Sequence, residues 1–514
     1  MNRLARGTLC LMLAAMLFAL GACSSHRNAD MRANTASTLP PAASPYTAPT
    51  DDSGLGYEAP VSLYLPSLDG QRLLARQTSL ALQRGGANAR TVIQALMDAR
   101  TNERTKALAE PNTLRFSGNS PVEVSGNVCT VNLVGSAQAL EYDEMYTLCL
   151  ALASTLADST AIRYVNLLVE DMPVSYDTGG NLPAGSVTAH PGEELPVMWD
   201  QMESRRTPLG SPAASQPLSA TATLYFPLKD GSGFVAEARN LTFAGQSPAM
   251  LTSGLLSALS AGPQVASGCA SFPDIPALLA LPASVSEAEG GGRLIELYFR
   301  EDLEEILEAQ GIGMAMFVAT VNWTLSTFIP ALKAVRFTIG TTTLTSVSGE
   351  PFGTVTFQNG QTERRYFREG LRAQDRIFMI RGGRLTPVMR SAQADTAGNP
   401  RVLLNLMARG TTAAESAAGY TAPLPSGLYD SDIIGISIEG DTLLLNLSIR
   451  FASAITRMGE NAQRLCCYAI VNSLCDALNL TRVRFYWEGS VRGLMGTGFD
   501  WSGEFMLNHA LSAP

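Results

Sequence analysis

The side chains best able to do chemistry in this sequence are few and scattered. Only three histidines occur, His26, His190 and His509. The first two stand in Pro- and Gly-rich stretches and the third near the C-terminus, which argues against a Ser-His-Asp or Cys-His site and against a histidine-built metal site. No GxSxG elbow and no GxxxxGK[ST] phosphate loop is present. The glycines of "EGGGRL", around Gly290, lie between two extended stretches and read as a turn. The acidic run Glu301-Asp302-Leu303-Glu304-Glu305-Ile306-Leu307-Glu308 could pair carboxylates for glycoside hydrolysis or hold calcium. Its Leu303, Ile306 and Leu307 have helical spacing, however, which puts most of the acids on a solvated face. Cys466-Cys467 reads as two small residues in an apolar helix rather than a redox pair. Cys129, Cys149, Cys269 and Cys475 are also read as core thiols, because their spacing makes no CxxC motif and no disulfide framework. Asp69 and Asp230 each precede a glycine and are explained by turn geometry. Tyr64 and Tyr225 suit half-buried strand positions as well as a recognition surface.

The N-terminus carries the clearest chemical signal. Arg3 and Arg6 precede a run from Thr8 to Leu20 that is almost wholly apolar, too short to span a bilayer permanently and fitting a secretory leader. It ends in Leu20-Gly21-Ala22-Cys23, which resembles the lipobox of bacterial lipoproteins. That resemblance implies cleavage before Cys23 and a diacylglycerol or palmitate anchor on its thiol. Residues 1–22 are therefore read as a lipoprotein signal peptide. Residues 23–58, with "STLPPAASPYTAPTDDSG", cannot build a core and are read as a disordered tether. His26 lies in it and needs no chemical role.

Apolar residues make up 46% of the chain and charged residues 16%, a globular composition. Net charge is −9, and loss of Arg3 and Arg6 with the leader takes it to −11. So acidic a protein has no electrostatic reason to hold nucleic acid or an anionic membrane surface. No later apolar run is long enough to cross a membrane.

The elements that would position any site repeat along the chain. "LYLPSLDG" at 63–70 returns as "LYFPLKDG" at 224–231. In each, an apolar strand is stopped by proline, an Asp-Gly turn follows, and a second strand can return. A helix comes next, with Val92-Ile93-x-x-Leu96-Met97, Leu251-x-x-x-Leu255-Leu256 and Val402-Leu403-x-x-Leu406-Met407 on its apolar face. Ser247-Pro248 and Asn399-Pro400 supply a cap and a first-turn proline. A second hairpin follows, whose returning strands align as Val131-Asn132-Leu133, Leu297-Tyr298-Phe299 and Leu445-Asn446-Leu447. Thr155-Leu156, Thr324-Leu325 and Ser473-Leu474 mark a second helix. A final strand of period two runs through Val165, Val335 and Val483.

The fold class expected is α+β: three tandem two-layer α/β sandwich domains, each a β-β-α-β-β-α-β unit with helices on one face of a largely antiparallel sheet. The units are placed at 59–176, 218–347 and 372–514, joined by linkers at 177–217 and 348–371. In the second linker Asn359-Gly360 lies between extended stretches and suits a further hairpin. The third unit takes in the tail, Val491 to Pro514. The hairpin phrase, "LLSALSAGP" (255–263) and "EGDTLLLNLS" (439–448) together resemble the GerMN domain family, named for sporulation and spore-germination proteins. The third unit departs from it, opening with "RIFMIRGGRLTPVMR" (376–390) and lacking the Tyr-x-Pro-x-x-Asp-Gly pattern. The family motifs are structural, so no catalytic residue is carried over with them.

The expected function is non-catalytic: a lipid-anchored component on the extracytoplasmic face of the cell membrane, acting as a protein-interaction scaffold. Sporulation or spore germination is the setting that the resemblance implies. Cys23 is the one site residue expected. The expected partners are the membrane, through the lipid on Cys23, and other envelope or sporulation proteins. No cofactor, metal, nucleic acid or small-molecule substrate is expected. Two other readings stay open: a cell-wall glycan-acting enzyme using scattered carboxylates, and a ligand-binding envelope lipoprotein. No pair of acids recurs in all three copies.

Overall fold

The computed structural model describes residues 46–511, apart from 111, 119–120, 177–181, 191, 193, 205–215, 267 and 497. Cys23, His26, the leader and the tether up to residue 45 lie outside the described residues. Ala48–Pro514 form one compact unit.

The first repeat runs β1 (Gly56–Pro66), β2 (Leu73–Gln83), α1 (Asn88–Met97), β3 (Leu114–Phe116), β4 (Val122–Ser125), β5 (Val128–Gly135), α2 (Tyr142–Ser159), β6 (Tyr164–Val169) and β7 (Met172–Pro173). Helix α3 (Leu195–Glu203) then lies in the first linker. The second repeat runs β8 (Leu218–Pro227), β9 (Phe234–Phe243), α4 (Pro248–Ser260), α5 (Ile275–Leu278), β10 (Leu279–Glu287), β11 (Arg293–Phe299), α6 (Leu303–Ala309), α7 (Met314–Phe328), β12 (Leu332–Ile339) and β13 (Thr342–Thr343). A connector supplies β14 (Ser346–Gly349), β15 (Gly353–Thr356) and β16 (Gln361–Thr362). The third repeat runs β17 (Arg372–Arg381), β18 (Arg384–Gln393), α8 (Pro400–Ala408), α9 (Ala413–Ala417), β19 (Tyr420–Thr421), β20 (Ile433–Glu439), β21 (Thr442–Leu447), α10 (Ile449–Ile455), α11 (Glu460–Leu478), β22 (Arg482–Trp487) and β23 (Glu504–Met506).

Each opening hairpin stays apart from the main sheet, the first two as two-stranded sheets and the third with β19 added beside β17. In the main sheets the central strands β5, β11 and β21 pair antiparallel with the preceding strand and parallel with β6, β12 and β22. The long helix makes that parallel crossover possible. Because α2, α7 and α11 pack against the hairpin on one side and against the last strand on the other, they are buried nearly all round. Every residue of α7 from Ala315 to Phe328 is buried, which explains a helix so apolar in a chain whose described residues hold no single helix long and apolar enough to cross a membrane.

One bond recurs at the same place in all three units. The Tyr64 N–H of β1 donates to Thr155 Oγ1 at 2.9 Å, the Tyr225 N–H of β8 to Thr324 Oγ1 at 3.1 Å, and the Phe378 N–H of β17 to Ser473 Oγ at 3.0 Å. The second strand of the hairpin leaves these amides unpaired, and each is covered by a helix. A hydroxyl at that helix position satisfies the donor in a dry interface.

The third hairpin forms without the repeated phrase. Gly382 and Gly383, at φ 58° and 75°, make a two-residue turn between β17 and β18. In the first two hairpins, the Asp69 and Asp230 carboxylates accept from Gln71 and Ser232 amides across the turn. The connector is structured throughout its described length. Its hairpin is β14–β15, upstream of the expected Asn359-Gly360, whose positive φ angles of 51° and 66° instead steer the chain into β16 beside β12. The tail adds β23 to β22. Tyr176, at the end of the first unit, and Leu182, in the first linker, are buried in the core.

The end of the expected tether is also built into the fold. Asn446 Nδ2 donates to Pro49 O at 2.8 Å, and Ile436 N to Asp51 O at 3.1 Å. Arg401 binds both Asp52 oxygens at 2.7 and 2.9 Å. Leu55 belongs to the core of the third unit, whereas the first two units and the connector share a single core. Residues 49–55 are thus a strap that binds the third unit before the chain enters the first.

Thr324→Val keeps the shape of the side chain and strips the Tyr225 amide of its acceptor. It should lower stability by about 1–3 kcal/mol, read as a lower urea midpoint at unchanged slope. Ser326→Ala removes a buried hydroxyl on the same helix that has no partner, and should leave the midpoint unchanged or raised.

Candidate functional site

The structure disperses the reactive types singled out in the sequence. His190 bonds Thr188 at 3.1 Å, and His509 is exposed at the far end of the chain. In the acidic helix α6, Leu303 and Leu307 are buried while Glu301, Glu304, Glu305 and Glu308 are exposed. Cys129, Cys149, Cys269, Cys466, Cys467 and Cys475 are buried and form no disulfide with one another. Burial pushes the thiols of Cys149, Cys269, Cys466 and Cys475 up to about 12, so they stay protonated and unreactive. Tyr64 is half-buried; Tyr225 is fully buried.

The charged centre lies where the repeats meet, around Arg364 of the connector. Its guanidinium donates to Glu123 Oε2 of β4 at 2.5 Å, to Thr327 Oγ1 of α7 at 2.5 Å and to Tyr225 OH of β8 at 3.3 Å. It lies 3.6 Å from the ring centre of Trp323, whose indole N–H donates back to Arg364 O at 3.0 Å. Arg364 is 5% exposed and Glu123 8%. Burial by itself would make the guanidinium easier to deprotonate; Glu123 and Tyr225 outweigh this and hold it above its ordinary range. A permanently charged, planar donor can satisfy this many acceptors at once. The site joins the first unit, the second unit and the connector, and its chemistry is that of a clamp.

Ser125, two residues along β4, joins all three units. Its Oγ accepts from the Ala236 amide of the second unit at 3.0 Å and donates to Arg372 O of the third at 2.6 Å. Close by, a Cβ on Gly85 would stand 2.2 Å from Gly398 O, so the first and third units meet backbone to backbone. The Gly398 amide donates to Asp375 Oδ1 at 3.0 Å, and Oδ2 is buried without a partner. Burial raises the Asp375 carboxyl to about 6.

Beside β4 is a cavity of about 740 Å³. Its walls are residues 86–90 at the start of α1, the edge strand from Pro121 to Gly126, residues 159–162, and segments 368–372 and 393–397 of the connector and third unit. Arg90, Arg368 and Arg372 line it together with Glu123, Glu369 and Asp395.

Against known families, residues 371–492 match the family model Germane, described as sporulation and spore germination. That match covers the third unit, which is similar to the Germane family. The divergent opening of the third unit, with Gly-Gly in place of the Asp-Gly phrase, still makes its hairpin, and the first two units repeat its element order and its helix-to-hairpin bond. Among solved structures, the chain is similar to the tandem GerMN domains of the sporulation protein GerM from Bacillus subtilis. Identity there is 14% over 60% of this chain and 99% of that one, with a TM-score of 0.21. It is also similar to a putative lipoprotein from Clostridium perfringens, at 15% identity over 27% of this chain and 91% of that one, with a TM-score of 0.17. No curated protein matches the chain.

Glu123→Ala leaves Arg364 buried without its counter-charge and should destabilise the protein by about 3–5 kcal/mol in a chemical denaturation series. Replacing both residues, Glu123→Leu with Arg364→Met, should recover much of that loss. Asp375 gives a pH signature. Its native pKa lies above the unfolded value, so the native state binds the extra proton between about pH 4 and 6, and stability falls as pH rises through that window. Asp375→Asn should add up to about 3 kcal/mol at pH 7 and flatten the melting temperature between pH 4 and 6.

Proposed function

We propose that this protein is a non-catalytic scaffold of the bacterial envelope, anchored by lipid on Cys23 at the extracytoplasmic face of the membrane and acting in sporulation or spore germination. One observation carries the non-catalytic reading: the polar position that recurs in all three copies, Thr155, Thr324 and Ser473, bonds a strand amide of its own unit. The features that the copies share therefore build the fold. The charged cluster around Arg364 is buried and bonds residues of the first unit, the second unit and the connector to one another.

The biological setting rests on the Germane match, and the anchor on the sequence around Cys23. The protein partners would be other envelope or sporulation proteins, held by a body whose units are bonded to one another.

Deletion of the gene should impair spore formation or germination, and a Cys23→Ala chain should fail to restore it and should leave the membrane fraction. The purified protein should release no soluble fragments from peptidoglycan. Fragment release that is abolished by a single carboxylate substitution would replace the scaffold with a glycan hydrolase.

A further inference from the structure

The third unit shows how an edge strand and the helix start beside it can be filled. Pro49–Asp52 runs along β20, where Ile436 N donates to both Asp51 O and Asp52 Oδ1, at 3.1 and 3.0 Å. Arg401, in the first turn of α8, grips the Asp52 carboxylate. Position 435 has to be glycine, because a Cβ there would stand 2.6 Å from Asp51 N.

The first unit has the same two walls, the edge strand β4 and the first turn of α1, and the 740 Å³ cavity lies against both. The registers correspond: Val122 faces Val131 as Ile436 faces Leu445. The Asn132 amide donates to Pro121 O at 3.0 Å, which makes the next pair, Val122 and Val131, a non-bonded one. Val122 therefore turns its N–H away from β5, as Ile436 turns its own toward the strap.

The helix start offers donors as well. Asn399 and Ser247 cap α8 and α4 with their side chains, but Ala87 gives α1 no cap. The Asn88 side chain is tied instead to the Gln83 backbone at 2.8 and 2.9 Å. The Asn88 amide donates to Gly86 O at 2.9 Å, and no side-chain cap covers the amides that follow it at the positive end of the helix. Arg90 projects from that turn and is exposed; Arg368 stands on the facing wall, near Glu369 and Asp395, and Arg372 there donates to the carbonyls of Glu369 and Leu371. Glu123 also lines the cavity, and its Oε1 is buried without a partner.

We propose that this cavity receives an extended acidic segment of a partner protein. The segment adds a strand to β4 and sets a carboxylate at the first turn of α1, as the strap does between β20 and α8. The chain's own strap is engaged on the third unit and is not free to fill it. The volume suits a short stretch of peptide, within the roughly 300–1,000 Å³ of ordinary ligand sites. Backbone pairing supplies affinity, and the carboxylate sets register and selects acidic sequences. This deepens the scaffold reading, on which it rests, by naming what the scaffold holds.

The test uses a fluorescent peptide with the strap sequence, APTDDSGL, titrated into the purified full-length chain and followed by anisotropy. Saturable binding is expected, and the APTNNSGL peptide should bind about tenfold more weakly or less. Arg90→Glu, at an exposed position, should weaken binding of the acidic peptide by a similar factor. Val122→Pro, which removes only an outward N–H, should do the same, with both variants keeping the wild-type circular dichroism. Arg401→Ala should leave binding unchanged. Absence of binding, equal binding of the two peptides, or a loss on Arg401→Ala with none on Arg90→Glu would overturn the assignment. Those results would leave the genetic test of the scaffold standing, whereas peptidoglycan cleavage would strike the scaffold and not the cavity.

Discussion

A strand amide cannot be left unpaired in a dry interior, and this protein is organised by that constraint. Each repeat opens with a two-stranded hairpin that is too small to satisfy both of its edges. A buried helix covers it, and that helix must offer an oxygen at one particular place. Thr155, Thr324 and Ser473 meet the demand. The same demand recurs at the main sheets, where β16 pairs with β12 and the strap runs beside β20.

The repeats are joined by two different means. The first two units and the connector share one continuous apolar core, with Arg364 as the charged group buried against it. A buried ion pair of this kind adds little net stability over an apolar filling, but it penalises any arrangement that separates the partners. The third unit keeps a core of its own. It is joined to the rest by polar and backbone contacts, Ser125 to Arg372 and Gly85 against Gly398, and by the strap, through the Asp52 carboxylate and the apolar Leu55.

The repeating architecture could be read from the sequence because it depends on local periodicity. The apolar spacing of Val92, Leu251 and Val402 and the alternation through Val165, Val335 and Val483 each mark one element. The Thr/Ser-Leu positions were visible as a repeat, although their role as acceptors depends on which strand each helix meets. Contacts between distant segments left no such trace. Arg364 stands in "TERRYF" with nothing to mark its partner Glu123, 241 positions away. Asp52 lies among Pro, Ser and Thr residues typical of a flexible linker, and its fixed conformation is imposed by Arg401. The cavity beside β4 is equally silent, since its walls come from the first unit, the connector and the third unit. The third hairpin shows the reverse case: Gly382-Gly383 is a sound turn signal that the missing Asp-Gly phrase obscured.

The strap also bears on how the chain matures. Asp52 and Arg401 are 349 positions apart, so the strap must wait for a docking site that is made hundreds of residues after it. Until β20 and α8 have been made, Leu55 has no core to enter. Docking of the strap therefore closes a loop in the polypeptide, with residues 49–55 held by the third repeat.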